Sequence, residues 1–229
     1  MGQMTWKWAL RALILGWVGC MGLSGTTLKA QQEIGLWVGP GLQTIDVKEA
    51  VLTDGFKVAI LPELGLRYRT QVADHFWATA SLGWLAKGAR ISDPPSSIAD
   101  SVPPQTFIVL QANYVNASVG LEARYDINDQ VHVFGQADFA VGFLLGGFFR
   151  NTFYSRGDPL HKVDLDGFFR SPYLGVDIGG GIGFHLSDRI HARIAPVLEL
   201  QLNRAYNSNV FIPKFVGFVP RFGLGFNLP

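Results

Sequence analysis

Apolar and polar residues alternate one for one along most of the chain after residue 30, most plainly over Tyr114–Phe143. Val115, Ala117, Val119, Leu121, Ala123 and Tyr125 form one parity class; Asn116, Ser118, Glu122 and Arg124 fall in the other. After the polar turn Asp126–Gln130 the alternation resumes, with Val131, Val133, Ala137, Phe139, Val141 and Phe143 against His132, Gln136 and Asp138. Successive side chains of a strand point to opposite faces, so this stretch predicts a strand pair between two unlike surroundings.

The same period predicts eight strands: Glu33–Leu42, Lys57–Arg69, His75–Gly88, Thr106–Tyr125, Val131–Leu145, Pro172–Leu186, Ile190–Gln201 and Lys214–Leu228. No useful helical period interrupts them. Connections after odd-numbered segments are long, about 14, 17, 26 and 11 residues; those after even-numbered ones are about 5, 5 and 3. Long loops on one side and tight turns on the other are the asymmetry of barrels that cross an outer membrane. The parity is consistent across the turns: Tyr68 and Phe76, Tyr125 and Val131, and Leu186 and Ile190 all belong to the apolar face. That face carries no charge. Its aromatic residues gather at both ends, with Tyr68, Phe76, Tyr125, Phe184 and Phe226 near the turns and Trp84, Phe107 and Phe143 near the loops, as in membrane-interface girdles. The expected fold is an all-β, eight-stranded antiparallel up-and-down transmembrane β-barrel over residues 31–229. Pro40, Pro62 and Pro196 fit a closed sheet least well and are expected at bulges or rims.

Composition supports lipid over water. Charged residues are 16% of the 229, and mean hydropathy is positive at +0.20. Yet after residue 30 the longest apolar run is Phe139–Phe149, eleven residues, where a spanning helix needs about 20. Residues 1–30 have a different character: Lys7 and Arg11 precede the apolar Ala12–Leu23, and a small residue, Ala30, ends the segment. This predicts a cleaved signal peptide and export; a short membrane anchor and lipidation at Cys20 are the alternatives. Cleavage removes the only cysteine and three basic residues, leaving sixteen bases against eighteen acids, so neither thiol chemistry nor a nucleic-acid partner is expected.

The opposite face holds Glu63, Arg67, Glu122, Arg124, Asp138, Asp177, Arg193, Glu199 and Arg221. Inside eight strands these five acids and four bases have to pair, and the expectation is a structural charge cluster filling the barrel. A solute or proton path along the same residues is the sharper alternative. No catalytic residue, cofactor or metal site is expected. Ser155 and His161 co-occur in the 146–171 loop without catalytic spacing, and Asp164–Gly167 lacks the further acids of a calcium loop. Gly-Phe-Phe-Arg occurs twice, at 147–150 and 167–170, which predicts a hairpin whose arms face each other. Phe148, Phe149, Phe168 and Phe169 are also candidates for a partner-binding patch.

Ala30-Gln31, Tyr114-Val115-Asn116, Leu121-Glu122-Ala123-Arg124-Tyr125 and Arg221-Phe222-Gly223-Leu224-Gly225-Phe226 resemble the PorT-like outer-membrane β-barrel family of Gram-negative bacteria. The resemblance implies an eight-stranded barrel and an association with protein secretion across the outer membrane. Three roles stay open: a structural or partner-binding membrane barrel, a lipid-modifying enzyme of similar shape, and a soluble lipocalin-like barrel. Expected partners are outer-membrane lipid, the barrel-assembly machinery during insertion and a protein at the long loops.

Overall fold

The computed structural model describes residues 31–46, 56–91, 107–152, 162–164, 169, 171–205 and 214–229. The segment expected to be a signal peptide, the 89–105 loop beyond Ile91 and the Ser155–His161 pair lie outside them.

Eight long strands form the wall: β1 (Gln32–Asp46), β3 (Ala59–Ala73), β4 (Phe76–Ile91), β5 (Phe107–Asn128), β6 (Val131–Thr152), β8 (Tyr173–His185), β9 (Ile190–Gln201) and β10 (Lys214–Asn227). Two short strands, β2 (Phe56–Lys57) and β7 (Lys162–Asp164), add to β4 and β6. Each long strand pairs antiparallel with the next in sequence, and β1 pairs with β10, so the sheet closes into an up-and-down barrel with no open edge. The shortest wall strand has 12 residues, and a tilted strand needs about 9–11 to cross the hydrocarbon layer.

The pleat separates two chemistries. Ile34, Leu36, Val38, Leu64, Leu66, Leu121, Ile178, Ile194, Leu198, Phe222 and Leu224 point outward and are exposed, Leu36 to 58%. The inward positions of the same strands carry the buried polar and charged side chains. An apolar surface continuous around the wall is far larger than soluble monomers present to water. Charged inside and greasy outside is the polarity of a transmembrane β-barrel, and it excludes the lipocalin-like arrangement. Of the turn-end aromatics, Phe76, Tyr125, Phe184 and Phe226 stand exposed, whereas Tyr68 is covered.

The β5–β6 hairpin outruns the sequence reading. Its arms are 22 residues each and remain paired out to Phe107 and Thr152, beyond the expected end at Leu145. Much of the expected 26-residue loop is therefore ladder, extended by β7 pairing with Phe148–Arg150. The first copy of the repeat is paired here, but with Lys162–Asp164: Phe148 lies opposite Asp164 and Phe149 opposite Val163, while the second copy, Phe169 apart, falls outside the described residues.

The prolines are corrected too. Pro40 faces Pro62, and Pro196 faces Pro220, all in register within strands. The irregularities in register lie elsewhere, at Gln71/Ala73, Asn113/Tyr114 and Asp126/Asn128. The β1–β10 ladder lapses between Val38↔Phe222 and Leu42↔Phe218, then resumes at unchanged register. The β8–β9 ladder lapses likewise between Gly179↔Val197 and Ile182↔Ile194. A proline lacks a donor only toward the strand its nitrogen faces, so lining prolines up across four neighbouring strands confines the loss to a few seams.

Glycine makes the narrow interior fillable. A Cβ on Gly65 would stand 2.8 Å from the Trp37 ring, and one on Gly183, Gly225 or Gly147 would collide with His132, His191 or Phe169. Large inward side chains thus lie across the glycines of neighbouring strands. Phe222→Arg places a charge on the outer face and is expected to cost about 2–4 kcal/mol in lipid vesicles if that position is near the bilayer midplane. Urea unfolding of the folded barrel in vesicles checks this; an unchanged midpoint would mean that the face does not meet lipid.

Candidate functional site

The interior is organised in layers. The buried charged side chains among the described residues are six acids (Glu33, Glu63, Glu122, Asp138, Asp177, Glu199) and six bases (Arg67, Arg69, Lys87, Arg124, Arg193, Arg221). All nine residues of the sequence-derived cluster lie in this interior. Glu33, Arg69 and Lys87 complete it and turn an excess of acid into balance. Parity held the missing signal: Glu33 alternates with Ile34, Arg69 with Tyr68, and Lys87 lies an odd step from outward Trp84.

Toward the loops, Glu199 accepts from Lys87 Nζ and Arg221 Nη2 at 2.5 Å each and from Gln43 Nε2 at 3.0 Å. Arg221 also donates to Asp177 at 3.0 Å and reaches Glu63 at 3.5 Å, its guanidinium over the Trp37 ring. In the middle, Arg67 binds Asp138 and donates to Gln136, while Thr79 Oγ1 donates to Asp138. Toward the turns, Glu122 accepts two bonds from Arg193 at 2.5 and 2.9 Å and one from Arg69 at 3.2 Å. Arg124 bridges Glu33 at 2.8 Å and Glu122 at 3.3 Å, and stacks over Trp77. Ions withdrawn from water cost several kcal/mol each, offset only by dense mutual bonding of this kind.

Above the charged layers the interior turns apolar. Tyr114, Tyr173, Phe169, Phe215, Leu85 and Leu110 pack together toward the loop end. Phe169 is 2% exposed and stacks on Phe215 at 6.4 Å between centroids. It is a plug residue, so its place in a surface patch is corrected: a side chain filling the lumen is not offered to a partner. The side chains of Phe148 and Phe149, and all of Phe168, fall outside what the structure describes.

Toward the turns the lumen opens instead. A vestibule of about 450 Å³ is lined by Gln31, Gln71, Asp74, Trp77, Arg124, Asp126, Asn128, Asp129 and His185. His132 and His191 are fully buried above it; His75 is exposed in the β3–β4 turn beside Tyr125. Deeper, a cavity of about 30 Å³ lies between the guanidiniums of Arg67, Arg69, Arg193 and Arg221, room for one or two waters. The vestibule is lined by residues of the turn end and the small cavity by residues of the middle of the barrel.

Fold and interior together define a small transmembrane β-barrel with a filled lumen. No family model and no curated protein matches the chain. Among solved structures it is similar to Neisserial surface protein A, at 7% identity and a TM-score of 0.47 over 85% of this chain and 96% of that one. It is also similar to the outer membrane protein OprG of Pseudomonas aeruginosa, at 13% and 0.46 over 87% and 97%. Against the outer membrane protease OmpT of Escherichia coli the values are 9% and 0.45 over 88% and 99%. Likeness at these values assigns no role to any residue.

Arg193→Ala leaves Glu122 buried without its two shortest bonds and is expected to destabilise the barrel by about 3–5 kcal/mol. Arg124→Ala, nearer the vestibule and stacked on Trp77, is expected to cost less. Denaturant titrations in detergent, read by circular dichroism, check both the loss and the order.

Proposed function

We propose that the chain is an integral outer-membrane barrel that works as a structural or partner-binding protein through its loop end, without a pore and without enzymatic chemistry. The observation that carries the proposal is the filled lumen: paired ions through the middle and an aromatic plug under the loops. A structure that spends its interior on self-neutralising charges keeps its surfaces for interaction. The continuous apolar wall supports residence in a bilayer, and strands with tight turns at one end and long connections at the other support an outer membrane. Export through a cleaved segment before Gln31 belongs to the same reading.

The long β5–β6 arms, together with the 89–105 and 153–161 stretches, are where a protein partner is proposed to dock. The PorT-like resemblance makes a component of protein secretion the specific candidate. Barrel-assembly machinery acts on the chain only during insertion. The enzyme alternative rests on Ser155 and His161 alone, and both lie outside the described residues.

Three measurements test the proposal. Planar bilayers containing the purified barrel are expected to show no stepwise conductance; reproducible ion steps would defeat the filled-lumen reading. Crosslinking in intact cells with a tag in the 89–105 loop is expected to trap a protein partner, and a clean barrel alone would remove the partner-binding role. Ser155→Ala and His161→Ala are expected to leave membrane lipid profiles unchanged, whereas an altered profile would restore the enzyme.

A further inference from the structure

We propose that the turn end of the barrel holds a divalent transition-metal site formed by Asp126, His132 and His185. One ligand atom from each lies within 4.8 Å of the others, on three strands that the fold brings together. Asp126 faces His132 across the β5–β6 hairpin, and His132 faces Gly183 on β8, two residues before His185. All three occupy inward positions at the last turn of the lumen. Nothing in their spacing along the chain announces them, since the first two are six positions apart and the last two 53.

Three observations make this more than proximity. First, His132 is fully buried, and its Nδ1 has no hydrogen-bond partner. A buried imidazole nitrogen without a partner carries a desolvation cost that a ligand at that atom would recover. Its Nε2 stands 3.3 Å from Arg193, whose short bonds go to Glu122. Second, the ring is seated: it lies where a Cβ on Gly183 would be, so the strand opposite is shaped around it. Its centroid is 5.1 Å from that of His185. Third, there is an entry path. His185 and Asp126 both line the vestibule, with Asp74 and Asp129 at its margin. The register irregularity between Asp126 and Asn128 sits at the ligand itself, and bulges commonly re-aim side chains at sites.

Two imidazoles and one carboxylate, with room for water, suit Zn²⁺, Cu²⁺ or Ni²⁺ better than the oxygen-seeking Ca²⁺ or Mg²⁺. Metal–ligand bonds of about 2.0–2.2 Å require the three side chains to close in from their present separation. Metal at Nδ1 moves the ring proton to Nε2 and so displaces the Arg193 contact, which is the cost the site carries. His191 is not counted as a ligand; its ring is 6.2–6.4 Å from the other two, beside Glu33.

The test uses the untagged full chain, purified in detergent and stripped with chelator, then titrated with Zn²⁺ by calorimetry. Native protein is expected to bind one equivalent. Asp126→Asn and His185→Asn, both at accessible positions, are expected to weaken binding at least about tenfold, the lower end of what even an outer partner contributes. His75→Asn, an imidazole exposed at the same end, is expected to leave binding unchanged. With Cu²⁺, electron paramagnetic resonance is expected to show two imidazole nitrogens in the native chain and one in His185→Asn. Absence of stoichiometric binding, equal affinity in Asp126→Asn and His185→Asn, or an equal loss in His75→Asn would overturn the site.

Discussion

The constraint on which the structure depends is charge neutrality in a space with no solvent to spare. Eight strands closed on themselves leave an interior wide enough for side chains and little else. Any ion placed there has to find its counterion within the same cross-section. Glu122 meets this with three guanidiniums and Glu199 with Lys87 and Arg221. These contacts reach across the lumen between strands far apart in sequence, so they fix register and circumference together. Removing one member strands the rest in a low-dielectric interior, which is why the network acts as a unit.

Glycine and aromatic placement follow from that constraint. Trp37 over Gly65, His132 over Gly183 and His191 over Gly225 show large side chains lying flat across strands that yield the volume of a Cβ. Trp37 also carries a guanidinium, that of Arg221, and two further inward rings do the same: Trp77 under Arg124 and Phe134 under Arg193. The interior is therefore polar at its tips and aromatic along its sides. The two ends differ in consequence: Phe169 and Tyr173 seal the loop end, and the turn end keeps a wet vestibule.

Much of this was legible in the alternation of residues. Parity places Glu122, Arg124, Asp138 and Arg193 on one face, and the absence of charge along the middle of the other face implies lipid. What parity does not carry is the third dimension. Whether His132 meets His185, or Glu33 meets Arg124, depends on which strands close the ring and at what stagger. The full length of the β5–β6 arms was hidden because Leu144–Phe149 is apolar and glycine-rich on both faces, so its alternation vanishes. Phe169 looked like a surface residue because it sits in a long connection outside the alternating segments, yet it is buried within the lumen. The prolines misled for a different reason: a proline row costs bonds at chosen seams, which single-strand reasoning does not see.

The central claim is that the alternating apolar face meets lipid all round a barrel whose charges face inward. The most direct measurement is a nitroxide scan along β9, from Ile190 to Gln201, in a cysteine-free background reconstituted into vesicles. Collision rates with oxygen are expected to peak at the even positions, including Ile194 and Leu198, where a water-soluble nickel chelate is excluded. Nickel access at those even positions, or no alternation along the strand, would contradict the account.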